Sequence, residues 1–391
     1  MSRRAFLRHA VAVGAGLAAM SWRTPATPGP ALAAQPVIPP ASTVTLARWH
    51  RDAVSTWQQQ PPAPADPPAT RRVLLSPEAV ASVPCRTVIP SWAAHTPPGT
   101  WLEIQLRAFV GGRWTRFYPM MRWDSAAEGS RRTSFPAQPD HDGDVTIDTL
   151  TLHAPAERVQ ARVLLCSQTP AHLPTLHTLT ICMAARQHEA GCMVAPVPPL
   201  PQTAILQPPL FSQYDYVGGE GWCSPTSLAM VLGYWHYLSG DARLAPFIAP
   251  DSVPTHSAPM VYDPHYRGNG NWPFNTAYAA SLGLDAYVTR FDDVAQLAGW
   301  IGAGVPVMCS LAWQPGQLDN ASGTSSDGHL IVVVGLRSDG WVEVADPSGT
   351  GLNGGIRRAY RADQFTTCWQ CSSGGTVYLI HPHSWETPGL V

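Results

Sequence analysis

The sequence predicts an α+β chain, with an all-β sandwich domain first and a helix followed by an antiparallel sheet second. Three observations predict it. Between about 71 and 190, short alternating apolar runs are split by turn residues, and no segment keeps a helical period for three turns. After Cys223, the residues Leu228, Val231, Leu232 and Trp235 recur at helical spacing. From Thr276 onward, helical and strand-like runs alternate and end in a hairpin pattern.

The chain has 391 residues, enough for two domains that each close a core. Apolar residues make up 45%, charged residues 13%, and the net charge is -2. That balance argues against nucleic-acid partners and anionic membrane surfaces. All 25 basic residues are arginine, to which no function is attached.

Residues 1–34 read as an export label. Ser2-Arg3-Arg4-Ala5-Phe6-Leu7-Arg8 has the twin-arginine pattern, Ala10 to Met20 is apolar but too short to span a bilayer, and Ala31-Leu32-Ala33 suits cleavage. The expected location is periplasmic or extracellular, with no membrane attachment once the label is removed. Residues 35–70 are proline-rich apart from an apolar patch from Leu46 to Trp57, and read as a mobile arm.

The sandwich is expected over 71–190. Trp101 to Val110, then Gly111-Gly112, then Trp114 to Tyr118 is a hairpin signal, and strand-like runs follow at Val145 to Leu152, Val159 to Leu165 and Leu176 to Met183. Asp140-His141-Asp142-Gly143-Asp144 lacks the spacing and terminal glutamate of a calcium loop and reads as a polar turn. Trp92, Trp101, Trp114 and Trp123 are expected in the core rather than on a binding platform.

A second proline-rich linker is expected over 191–204, and a catalytic-looking domain over 205–391. Ser224 is placed to cap the helix after Cys223, and Pro225 suits its first turn. Further on, 276–283 reads as helix, 286–291 as strand, 293–301 as helix and 306–313 as strand. Asp327 to Leu336 and Trp341 to Pro347 read as strands joined by the turn Arg337-Ser338-Asp339-Gly340.

The candidate chemistry sits at the helix start and the hairpin. Cys223 lies at the positive end of a helix dipole, which favours the thiolate. If Leu336 pairs with Trp341, His329 lies opposite Ser348, and Asp346 falls on the same face, within side-chain reach. Asp346 then orients the imidazole, and a cysteine, a histidine and an acid stand in the relation that nucleophilic catalysis requires. The Cys223 N–H and the Gln213 amide are candidate oxyanion donors, and Gly218-Gly219-Glu220-Gly221 gives the loop between them freedom to fold back.

Eight cysteines in an exported chain suggest disulfides, yet removing Cys223 leaves seven, so at least one more stays unpaired. Cys368 and Cys371 form a lone C-x-x-C, which reads as a local disulfide or two thiols rather than a zinc site, and Cys166 and Cys309 as buried apolar residues. His236, His256 and His265 are too loosely spaced for a metal site. No cofactor and no metal are expected.

These residues carry a resemblance. Cys223-Ser224-Pro225-Thr226-Ser227, Gly328-His329 and Ala345-Asp346-Pro347 resemble the C39-like cysteine peptidase family, in which a Gln precedes a Cys-Gly-Pro helix start, a Gly-His opens an apolar strand and an Asp-Pro closes the next. Ser224 stands where the family has glycine. The resemblance covers about 205–385 and implies a papain-like fold with Gln213, Cys223, His329 and Asp346 as the functional positions. Leader-peptide cleavage by transporter-linked members does not carry over, because this chain has no transporter segment. The expected function is an exported cysteine peptidase, a monomer acting on a peptide or protein, with the sandwich holding or presenting substrate. A cell-wall peptide amidase or acyltransferase using the same residues, or a catalytically silent binding module, are the alternatives.

Overall fold

The computed structural model describes residues 42–126, 131–185, 192, 194–352 and 354–389. The export label and residues 35–41 of the arm lie outside the described residues. Alternation dictates the first half: in Trp101-Leu102-Glu103-Ile104-Gln105-Leu106, the residues Leu102, Ile104 and Leu106 are fully buried. The elements are β1 (Val44–Trp49), α1 (Arg51–Ser55), β2 (Gln58–Gln60), β3 (Thr70–Leu75), β4 (Ala79–His95), β5 (Thr100–Val110), β6 (Arg113–Trp114), β7 (Tyr118–Trp123), β8 (Thr133–Ser134), β9 (Gly143–Thr146), β10 (Thr149–Ser167) and β11 (Thr175–Ala184).

All eleven strands share one antiparallel hydrogen-bonded sheet, ordered β1-β11-β4-β10-β5-β7-β8, with β2, β3, β6 and β9 paired at its sides. β4 and β10, of 17 and 19 residues, run past several partners and so join what a sandwich keeps as two layers. The β10 register shifts around Ala156, next to Pro155, whose missing N–H interrupts the ladder.

The arm is not a tether. Leu46 pairs with Cys182 as β1 joins β11, and Asp66 receives a two-pronged hydrogen bond from Arg162 at 2.7 Å, so the described part of 35–70 belongs to the sheet. The apolar Leu46 to Trp57 patch was the sequence signal for this. Trp92, Trp101 and Trp123 are buried, which removes them from any binding platform, while Trp114 lies half-buried beneath the guanidinium groups of Arg107 and Arg158. In the acidic turn, Asp140 accepts from Arg116 and Tyr118, and Asp142 accepts from both Nη atoms of Arg113. Two of its three carboxylates therefore already have cationic partners.

The second half contains α2 (Cys223–Ser239), α3 (Ala258–Val261), α4 (Trp272–Ser281), β12 (Leu284–Arg290), α5 (Ala295–Gly302), β13 (Val307–Trp313), β14 (Ser326–Arg337), β15 (Trp341–Ala345), β16 (Arg357–Arg361), α6 (Ala362–Ser373) and β17 (Thr376–Pro382). Its antiparallel sheet is ordered β12-β17-β13-β14-β15-β16. α2 is buried from Ser224 to Trp235 because the sheet lies along it, with Ser227 Oγ donating to the Leu330 carbonyl and Trp235 Nε1 to that of Ile380.

The expected linker is anchored at both ends. Cys192 forms a disulfide with Cys371 in α6, not the local Cys368–Cys371 bridge, and Cys368 is a buried free thiol. Thr203 N and Leu206 N donate to the Leu336 and Val334 carbonyls, extending the sheet beside β14. Gly335 suits this close approach, since a Cβ would stand 3.1 Å from the Ile205 side chain.

The two halves meet across β4 and β12. Val288 N donates to Ser91 Oγ, Arg290 donates to Thr87 Oγ1, and Arg48 reaches Asp285 at 2.5 Å while lying over the Tyr287 ring. Trp92 and Trp123 both contact Phe274 of α4. The described residues from Ser42 onward accordingly cluster as one compact unit.

Candidate active site

Cys223 is the first residue of α2, half-buried, with Trp222 at the cap position. Ser224 does not cap the helix: its hydroxyl is buried against that of Tyr378 at 3.2 Å. The first N–H groups of a helix have no intrahelical acceptor, so the sulfur sits among unpaired donors at the positive end of the dipole.

The hairpin corrects one detail and preserves the consequence. Arg337 pairs with Trp341 across a three-residue loop whose Gly340 has φ 86°, one step from the expected Leu336–Trp341 register. A bulge between Val333 and Gly335 shifts the ladder back, so that Val332 faces Ala345, as the expected register requires at that end. The two shifts cancel. His329 Nε2 therefore meets Asp346 Oδ1 at 2.8 Å, both side chains being buried.

Asp346 has no solvent exposure; its carboxylate accepts from His329, the Ser348 N–H at 2.8 Å and the Tyr360 hydroxyl at 2.5 Å, and its backbone N–H donates to the Ile356 carbonyl. Burial pushes its pKa up, but the charge and hydrogen bond of His329, with Tyr360 and Ser348, hold the carboxyl below its ordinary range. Burial likewise depresses His329, and Asp346 together with Cys223 overrides this and raises it. At Cys223 burial also opposes ionisation. The hydrogen bond and charge of His329, then the N–H groups of Leu330 and Ser224, outweigh it and lower the thiol pKa. With Nε2 engaged by Asp346, Nδ1 is the ring atom left to face the sulfur. Trp313 packs its ring against the imidazole at 5.5 Å between centroids, shielding the pair.

Gln213 is buried, its backbone N–H bound to the Pro347 carbonyl at 2.7 Å, which ties it to the strand end carrying Asp346. Its Oε1 accepts from Ser348 Oγ, and Nε2 donates to the Glu220 carbonyl, leaving one further N–H on that nitrogen. Gly219 makes the approach possible: a Cβ there would lie 2.0 Å from the Gln213 carbonyl oxygen. Cys223, Gln213, His329 and Ser348 border a cavity of about 800 Å³, with Asp346 behind the imidazole.

All four expected residues are thus brought together. Sequence reading missed Tyr360, Ser348 and Trp313. Tyr360 pairs with Val342, two strand steps of two from Asp346 and hence on its face, but the strand that carries it follows a loop that hides the register. The predicted register puts Ser348 opposite His329 without giving it a role, because its bond to Gln213 depends on a segment 135 residues away. Among the described residues no group of three or more His, Cys, Asp or Glu is arranged to hold a metal ion, and His236, His256 and His265 do not converge on one.

Comparison with known proteins gives the following. Residues 44–184 match the peptidase C39 N-terminal domain, and residues 196–377 match the peptidase C39-like family. A solved structure from Bacillus anthracis, designated a C39-like peptidase, is similar at 14% identity over 46% of this chain and 97% of its own, with a TM-score of 0.32. No curated protein matches the chain.

Proposed function

With residues 196–377 belonging to the C39-like peptidase family and residues 44–184 to the C39 N-terminal domain, we propose that this chain is an exported cysteine peptidase of papain-like fold that hydrolyses peptide bonds through Cys223, His329 and Asp346. One observation carries the reading: the His329 ring is bonded at Nε2 to a buried carboxylate and shares a cavity with the Cys223 sulfur, whose pKa it lowers.

The chemistry follows from that contact. Cys223, as thiolate beside imidazolium, attacks the substrate carbonyl carbon, and the oxyanion is held by the Cys223 N–H and the remaining Gln213 N–H. Collapse breaks the C–N bond as His329 Nδ1 gives its proton to the departing amine. The acyl group remains on sulfur as a thioester. Water, losing a proton to the neutral imidazole, then attacks the thioester, and the acid leaves while the thiolate and imidazolium pair is restored. Asp346 keeps the ring aimed and stays ionised throughout.

Arg3-Arg4 followed by a short apolar run supports export to the periplasm or beyond, where a monomer would meet peptide or protein substrates. The test is to incubate purified protein with a peptide library and with peptidoglycan fragments, beside the Cys223→Ala variant. Cleavage of peptides by wild type alone is expected. Cleavage of wall fragments alone would move the assignment to a cell-wall amidase, and no reactive thiol in folded, reduced protein would remove it.

A further inference from the structure

The cavity at Cys223 is not built by the second half alone. Thr146, Ile147 and Thr149, from the β9–β10 hairpin of the first half, line it together with Tyr266, Arg267 and Trp272. Resting on the peptidase reading, we infer that this hairpin is the far wall of the substrate cleft and that Ile147 is the residue that limits the size of the side chain the cleft admits.

The argument starts from the backbone. Thr146 pairs with Thr149, so Ile147 and Asp148 form a two-residue hairpin loop, and Ile147 has φ 57°. Glycine, asparagine or aspartate ordinarily fills such a position, because a branched Cβ crowds the backbone at positive φ. A β-branched residue there is strained, and strain of this kind persists only where the surroundings impose it.

The surroundings do impose it. Asp148 is buried, and its Oδ2 accepts the N–H of Trp272, the first residue of α4, at 2.9 Å. The loop is thereby fastened to the second half with its apolar tip in the cavity. The neighbouring wall is braced from the same side. Ser134 N donates to buried Asp263, whose carboxylate also takes the His265 N–H and the Asn271 amide, and Arg132 donates to the Pro259 and Tyr262 carbonyls. The loop bearing Tyr266 and Arg267 is therefore shaped by the first half as well. A turn built only for folding gains nothing from isoleucine at this position, whereas a cleft wall gains an apolar surface of fixed reach.

The experiment measures alkylation of Cys223 in the full chain, located by mass spectrometry, for wild type and Ile147→Gly. The reagents are iodoacetamide and peptidyl chloromethyl ketones bearing alanine, leucine or tryptophan, which form a thioether with loss of chloride. Iodoacetamide and the alanine reagent should react within about 3-fold of wild type, and the tryptophan reagent at least about 10-fold faster in the variant. Ile147→Asn, whose side chain tolerates positive φ, carries the same comparison if glycine loosens the hairpin. An unchanged size profile with a reactive Cys223 overturns the wall assignment and leaves the peptidase reading standing. A wild-type Cys223 inert to every reagent overturns both.

Discussion

The first and second sheets bury the same kinds of groups and put them to opposite uses. In the first, Cys85 is pushed up to about 12 and Cys166 to about 11 by burial, and Cys182 is raised by burial even with the Arg290 charge beside it. In the second, Cys309 is raised well above its ordinary value by burial alone, yet Cys223 is lowered. Burial opposes ionisation at all five. What sets Cys223 apart is a cation that also hydrogen-bonds the sulfur, backed by two N–H groups. At Cys182 a nearby charge, one hydroxyl and one backbone N–H, with no hydrogen bond from the cation's own side chain, do not offset desolvation. The carboxylates divide in the same way: Asp66, Asp140 and Asp142 are held by arginines that fasten the sheet, while Asp346 is held by a histidine that faces a cavity.

The largest test of this contrast is Cys223→Ala. We expect turnover to fall by at least about 10³-fold, as for loss of a nucleophile, with unchanged circular dichroism. In folded, reduced wild type at neutral pH, Cys223 should alkylate while Cys85, Cys166, Cys182 and Cys309 wait for unfolding. Equal labelling of Cys166 would break the comparison.

Asp346→Ala comes next, with a fall of about 10²- to 10⁴-fold in kcat. The pH profile gives its sign. With Asp346 present, His329 stays protonated well above its ordinary 6.5 and Cys223 ionises below its ordinary 9.0. Removing the acid lowers the first and raises the second, so the pH window of turnover, which needs both thiolate and imidazolium, should narrow from both limbs. Stability follows by linkage. The raised His329 contributes stability that is full below its unfolded value and is lost as pH rises through its folded value. The depressed Asp346 contributes stability that is full above its unfolded value and is lost as pH falls through its folded value. At neutral pH the variant forfeits both contributions and strands the Tyr360 hydroxyl, which urea denaturation at pH 7 should register as a lower midpoint.

Replacing the Cys192–Cys371 pair by serines removes the clasp between the connecting segment and α6. A loop of that length predicts a loss of about 2 to 5 kcal/mol in denaturant unfolding, with kcat changed less than about 3-fold. The smallest effect is expected at Arg162→Ala. Its pair with Asp66 is partly exposed, so about 1 to 2 kcal/mol of stability should be lost, with kcat/KM untouched. A change in kcat/KM there would mean that the Arg162–Asp66 pair, and not only the β9–β10 hairpin, bears on the cleft, and would weaken the contrast.

Periodicity and residue order alone determined much of this protein. Leu228, Val231, Leu232 and Trp235 fix a buried helix behind Cys223, alternation from Asp327 to Pro347 fixes a hairpin, and phase along it puts His329 and Asp346 on one face. Those properties are local, set by the repeats of helix and strand. Tertiary structure decided the rest, because it depends on which distant segments touch. The bulge at Val334 that cancels the turn's shift, the Tyr360 hydroxyl on Asp346, the partner of Cys371 and the seating of β1 on β11 each join residues that no repeat relates. The cleft wall at Ile147 is of the same kind. The loop that carries it is fastened by Asp148 reaching the start of a helix more than a hundred residues away, and composition carries no trace of such a contact.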